Sequence, residues 1–468
     1  MANTIDPRSA WEPYSPSPKN PWDLRKVGHV FRRAAFGASW AELETGLERG
    51  PRRLIDQLLK GGQPSPIYDA ETEKFLNGAA RKFNVGAQAS AWWLYRMLHG
   101  PHPLKEKFTL FWHNHFATSD AKVNNAGYMV GQYELMHRHA LGNFGELLQE
   151  MSKDPAMMVW LDTVQSKKGQ PNENYARELM ELFSLGIGNY TEKDIREAAR
   201  AFTGWEIKNG KYFNNTGQFD ATEKTVLGKT GNWKGEDIVR ICLDQPACSR
   251  FIVRKLYRFL ISESDAPSAE LVDPLAKQFA NGYDFGKLVE TMLRSNLFFS
   301  EYAYRARIKS PVDYVLGMAR AIEAHMGTQS NTVNLTTALE NLGQNVFHPP
   351  SVKGWDGGQT WLNGQTLLFR QNFALEMARR PAGYKLPSTA FALARAHGKN
   401  DDQELAAFFL DLFLQGDVPE ETKKRVHDYA RAARDQKLPA YWTKQDIAEH
   451  RVISLCHLVM TLPEYQLD

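Results

Sequence analysis

The chain has 468 residues, 43% of them hydrophobic and 24% charged, the balance of a globular protein large enough to bury a core without staples. A net charge of +3, with no Lys/Arg-rich run, gives no electrostatic case for nucleic acid or for an acidic membrane surface. Three cysteines, Cys242, Cys248 and Cys456, fit neither a zinc ribbon nor a haem-attachment spacing, and buried thiols are expected; a Cys242–Cys248 disulfide requires an oxidising compartment.

Residues 1–21 are Pro- and Ser-rich and are expected to form an extended arm on the surface. They hold no basic region followed by an apolar one, so no Sec signal peptide is read here. No run of apolar residues approaches a membrane span, and the default location is cytoplasmic. Residues 22–468 are expected to form one large helical domain, divisible into 22–204, 205–234 and 235–468.

Helical spacing dominates from residue 21 onward. Leu24, Val27, Val30, Phe31 and Ala34 mark one face of a helix over 21–37. Short helices follow at 40–50 and 51–62, each closed by glycine, then a longer one at 86–99 and another at about 103–116. SKDPAMMVWLD (152–162) is one or two helical turns. NENYARELMELFSLGIG (172–188) has a clear stripe of Tyr175, Leu179, Leu182 and Phe183. Thr191 with Asp194 three residues on resembles a capping box for the next helix. The period then changes. WEIKNGKYF (205–213) carries strand formers on both sides of Asn209-Gly210, the pair that suits a type I′ hairpin turn. The fold class is therefore all-α with a minor β-hairpin or long-loop insertion around 205–234. Helices resume at 235–243, 247–263, 268–280, 284–295, 310–325, 402–415, 419–434 and 443–462. A Pro/Gly-rich loop at 347–365 is long enough to suspect function.

FWHNHFATS (111–119) raises the question of a metal site. On a helix, residues two apart diverge by about 200°, so His113 and His115 share an ion only if the helix stops near Trp112. The alternative is a pair of packed imidazoles. Asn174, Arg177, Glu178 and Glu181 form a second polar stripe, at spacings of three, four and seven. Two carboxylates one turn apart can bind a hard cation or divide acid and base roles. Arg196 or Arg200 on the following helix can instead neutralise them. Asp220 and Lys224 follow the hairpin, with Asp220 a loop ligand or a turn residue. Lys353, Trp355 and Asp356 lie in the turn VKGWDGG. No Walker loop, GxGxxG, GxSxG, HExxH or kinase motif is present.

Several of these stretches together resemble one family. HVFRRAAFGAS (29–39), FWHNHFATS (111–119), HALGNFGELLQEMSKDPAMMVWLD (139–162) and above all PNENYARELMELFSLGIGNYTEKDIREAARAFTGW (171–205) are similar to the bacterial family called domain of unknown function 1800. KTVLG (224–228), IKSPVDYVLGMARA (308–321), PPSVKGWDGGQTWLN (349–363) and LPEYQ (462–466) also fit, so the resemblance runs from about residue 22 to the end. The opening WEPYSPSPKNPWDL resembles members from planctomycete-type genomes. The resemblance implies no assigned activity. It implies a protein partner of the phosphatase/sulfatase-like family called domain of unknown function 1501, and an exported location. Many relatives have His-Asp where this chain has Phe219-Asp220, a departure that weakens a metal site here.

The leading expectation is a metal-dependent enzyme, hydrolytic rather than redox, with one divalent ion. Its ligands would be His113, His115 and Asp220, and the chemistry would fall to Glu178, Glu181, Arg177 and Asn174. The rivals are a non-catalytic scaffold, in which Arg196 or Arg200 satisfies the acids, and a carbohydrate binder using Trp205, Trp233, Trp355 and Trp361.

Overall fold

The computed structural model describes residues 6–79, 86–323, 329–379, 390–433 and 439–468. Among them are twenty-three α-helices and two two-stranded antiparallel sheets, so the protein is mainly α with a minor β insertion. No helix among the described residues is long and apolar enough to cross a membrane.

The helix starts follow local chemistry. Asp23, Asn125, Asn143, Asp154 and Asp284 each accept a backbone N–H of the first turn, satisfying donors that have no partner inside the helix. Thr191 and Asp194 form the expected capping box. Pro103, Pro155, Pro246 and Pro311 stand in the first turn, where no N–H is needed. The expected break between 40–50 and 51–62 is a kink within Trp40–Lys60, at Gly50 with φ of 75°.

The insertion is two hairpins. Strands β1 (Trp205–Lys208) and β2 (Lys211–Asn214) pair around Asn209-Gly210, both at positive φ. Strands β3 (Lys224–Val226) and β4 (Lys229–Gly231) turn at Leu227-Gly228 and are tied to the helix Glu192–Ala201 by the Leu227 N–H, which donates to Asp194 at 2.7 Å. Trp205 and Val226 bury their side chains in the same hydrophobic cluster as residues of 22–204 and 235–468.

Three expectations need correction. The arm is not wholly extended: Pro7–Ala10 is a helical turn, and the stretch after it is docked, with the Trp11 indole donating to the Leu271 carbonyl and the Tyr14 N–H to the Arg294 carbonyl. The region 172–188 is not one regular helix: Asn174–Glu178 is α and Leu179–Ser184 is a π turn. Helices at Pro66–Ala79, Ala126–Arg138, Phe144–Ser152, Gln329–Asn341, Gly364–Ala378 and Ala390–Ala396 were not expected. In Ala126–Arg138 two glycines dilute the pattern. In Gly364–Ala378 apolar residues occupy both faces, and Leu368 is exposed. All three cysteines are buried and free.

Candidate functional site

The histidine helix, Pro103–His115, is regular to its end; the Phe116 N–H still donates to the Trp112 carbonyl at 2.8 Å. The two imidazoles therefore diverge. His113 is fully buried among the rings of Trp93, Phe347 and Trp355, and its Nε2 accepts the Phe347 N–H at 3.1 Å. Burial, and then the nearby His348, push it down to about 3, so it is neutral. Between them Asn114 makes a two-bond clasp on Trp355: its Nδ2 donates to the Trp355 carbonyl at 3.3 Å, and the Trp355 N–H donates to its Oδ1 at 2.7 Å. This clasp holds the 347–361 loop against the helix. Gly354, at φ 79°, is required there, because a Cβ would collide with the Asn114 side chain and carbonyl.

His115 faces the other way. Its Nε2 lies 3.1 Å from the Phe183 carbonyl and its Nδ1 lies 3.0 Å from the Lys255 amine. A carbonyl only accepts, so Nε2 carries the proton and Nδ1 is left as an acceptor for the amine. Burial, and then Lys255, hold His115 well below the usual imidazole range. The Lys255 amine also donates to the Leu182 carbonyl at 3.2 Å. Both carbonyls come from the π turn, whose last C=O groups have no partner inside the helix, and a lysine is well placed at such an end. π turns recur at functional sites for this reason: they release backbone groups.

Lys255 is the residue that sequence reasoning missed. It sits on the helix Pro246–Leu260 between Phe251 and Phe259, four residues from each, which is an apolar stripe interrupted by one amine. That interruption was the available signal. Among the described residues no carboxylate pairs with it. Burial, and then Arg258, lower it to about 7.

The surface Lys255 retains is the wall of a cavity of about 260 Å³. Leu110, Phe111, Phe259, Trp355 and Trp361 supply its apolar sides. Its charges divide unevenly. Lys107 is paired with Asp313, and Arg307 lies 3.6 Å from Glu263. Arg258 donates to the Asp356 backbone carbonyl at 3.2 Å, and neither it nor Lys353 forms an ion pair with a carboxylate among the described residues. The cavity thus presents two cations without carboxylate partners among the described residues, Arg258 and Lys353, beside the Lys255 amine, with Asp356 the acid left over.

The acidic stripe lies beside this site rather than within it. Arg177 is spent on a bidentate pair with Glu192, at 2.7 and 2.8 Å, and on Glu173. Asn174 donates to Asp162 at 3.4 Å. Glu181 accepts from the Tyr190 hydroxyl at 2.8 Å. Glu178 is half-buried; burial, and then Glu181, raise its pKa, while Arg177 and the Lys353 ammonium oppose the rise. It is the member of the stripe that feels the cavity rim. Arg200 reaches neither acid; it pairs with Glu197 and, at 2.8 Å, with Asp220. Hydrogen bonds from Arg200 and Thr222 outweigh burial and hold Asp220 well below the usual carboxylate range. Lys224 donates to the carbonyls of Asp220 and Thr222. His113, His115 and Asp220 are not brought together, and among the described residues no group of three His, Cys, Asp or Glu side chains is placed to hold a metal. Trp205, Trp355 and Trp361 are buried.

The model of a family described as a protein of unknown function, DUF1800, matches residues 29–467. The chain belongs to this family. The match spans both the histidine helix and the 347–361 loop, so the cavity is built within the family domain. Comparison with curated proteins and with solved structures found no match.

Proposed function

We propose that this chain is an enzyme that binds a small anionic molecule in the 260 Å³ cavity and works on it through the Lys255 amine, with His115 as the amine's proton partner. The observation that carries the reading is the pairing of Lys255. A buried unpaired ammonium is costly, and Lys255 differs from the buried Lys224, whose amine meets two backbone carbonyls, in having a histidine ring nitrogen as one acceptor and a cavity beside it. Here the partners are two neutral acceptors, the Leu182 carbonyl and His115 Nδ1, and the amine is neutral in a good fraction of molecules near pH 7. A neutral lysine on the wall of a cavity is a base or a nucleophile. Arg258 and Lys353 supply attraction for an anion, and Phe111, Phe259 and Trp355 give its carbon part an apolar surface. Hydrolysis, with the amine taking a proton from attacking water, is the first reaction to test.

The test is a panel of anionic esters, phosphate esters and sulfate esters, offered to wild type, Lys255→Met and the surface control Lys277→Met. Turnover that rises with pH through about 7 and disappears only in Lys255→Met supports the reading. Trace labelling of lysines across pH gives an independent outcome. A Lys255 that titrates with the exposed lysines ends the proposal.

One observation favours a second reading, metal-assisted hydrolysis. Glu178 and Glu181 are one turn apart, burial and then Glu181 raise the cost of charging Glu178, and neither is in an ion pair among the described residues. A divalent cation would relieve that repulsion. Elemental analysis of wild type beside Glu178→Gln/Glu181→Gln tests it. Near-stoichiometric metal, lost in the folded variant, supports the reading; no metal in either protein removes it.

A further inference from the structure

We propose, building on the reading of this cavity as an active site, that Lys255 is a nucleophile that captures the carbonyl carbon of a small oxo acid as an imine. The geometry of the amine serves this step as it serves proton abstraction, since both use the lone pair. A neutral amine has two N–H groups and one lone pair. The two N–H groups are accounted for, one by His115 Nδ1 at 3.0 Å and one by the Leu182 carbonyl at 3.2 Å. The remaining direction belongs to the lone pair, and Lys255 forms part of the cavity wall. With both N–H groups engaged, the lone pair is what the amine has left for a ligand in that cavity.

The same two acceptors serve the later steps. As the lone pair forms the C–N bond, the carbonyl π pair moves to its oxygen. The proton that nitrogen must lose passes to His115 Nδ1, already within hydrogen-bond distance. It then passes to the alkoxide oxygen, giving a neutral carbinolamine; a second proton, supplied by solvent, adds to that hydroxyl, the C–O bond breaks, water leaves, and the C=N iminium forms. No electrons enter or leave. The iminium keeps one N–H, and the Leu182 carbonyl is placed to accept it. The carboxylate of the oxo acid is drawn to Arg258 and Lys353, two cations free of carboxylate partners among the described residues. A cavity of this volume lies just below the range of drug-sized sites and suits a ligand of a few carbons.

The experiment uses the full chain with pyruvate or glyoxylate and sodium cyanoborohydride at pH 7, followed by intact mass and peptide mapping. The expected result is a single saturable adduct on Lys255, absent from a folded Lys255→Arg protein. Propionaldehyde, similar in size but uncharged, is expected to label Lys255 at least tenfold more slowly. Label spread over exposed lysines with Lys255 unmodified, or no label, overturns the imine step. Thermal shift with pyruvate separates that failure from failure of the underlying reading. If pyruvate stabilises wild type but not Arg258→Ala/Lys353→Ala while Lys255 stays unlabelled, the anion cavity stands and only the imine falls. If pyruvate neither labels nor stabilises, both fall.

Discussion

The amine of Lys255, lowered to about 7 in the folded protein, titrates in the unfolded chain at about 10.4. Between those values the unfolded state binds more protons, so the stability contributed by this group rises as pH climbs from about 7 to about 10. Below 7 both states are protonated and the full cost of the buried charge is present. Lys255→Met is therefore expected to be more stable than wild type at pH 6, with the gap closing toward pH 10, in urea denaturation at each pH. Lys309, which burial also lowers to about 7, remains in both proteins and cancels in the difference; His115 loses the Lys255 charge that helps hold it down, a change that favours the variant at acid pH as well. Asp154 has the opposite sign. Burial raises it to about 7 against the hydrogen bonds from the Met157 N–H and Gln132, so the folded state binds more protons between about pH 4 and 7, and stability falls over that window. Asp154→Asn keeps an oxygen for both donors and removes the charge. It is expected to flatten the pH profile and to exceed wild type in melting temperature at pH 8. Neither shift was legible in the sequence. Lys255 and Asp154 are ordinary residue types, and only the packing of distant segments around them creates the desolvation.

Local elements were easier to read, and the reasons can be named. The Asn209-Gly210 hairpin and the Thr191–Asp194 capping box depend on residues within a few positions of each other, and both are present. The metal expectation needed the helix to stop near Trp112, and instead it runs through both His113 and His115, so helical pitch separates them. The π turn at Leu179–Ser184 was not foreseen, because its apolar stripe is compatible with either helical period. What sustains it is tertiary: Lys255 and His115 take carbonyls that the π geometry leaves free. The loop at 347–365 was suspected from its length and its Pro/Gly content, and the Asn114 clasp holds it against the histidine helix. Gly354→Ala places a Cβ at a left-handed φ and against Asn114. A destabilisation of about 2 kcal/mol is expected in chemical denaturation, from strain plus loss of the clasp. Disturbed Trp355 fluorescence is expected to accompany it.

At the scale of the molecule, the arm and the insertion are part of one hydrophobic cluster. Ala10 is fully buried, Tyr14 nearly so, and the Asn296 and Leu297 N–H groups donate to the carbonyls of Glu12 and Ala10. Removal of residues 1–21 is expected to lower the denaturation midpoint, with a loss of about 3 kcal/mol, because two apolar side chains and several backbone bonds are given up together. An unchanged midpoint would show the arm to be a passenger. The candidate site is likewise a product of long-range assembly. It joins the helix ending at His115, the π turn at 179–184, Lys255 and the loop carrying Lys353 and Trp355. By itself the sequence determined the helical class, the place of the hairpin, most helix ends and the family, since each depends on short-range pattern or on motifs. Only the tertiary structure decided which polar residues meet. The expected stripe of Asn174, Arg177 and Glu181 is taken up by neighbours outside the cavity, while an unremarked lysine is enclosed with a histidine. Burial and hydrogen-bond partners are properties of segments brought together across more than a hundred residues, and local spacing carries no record of them.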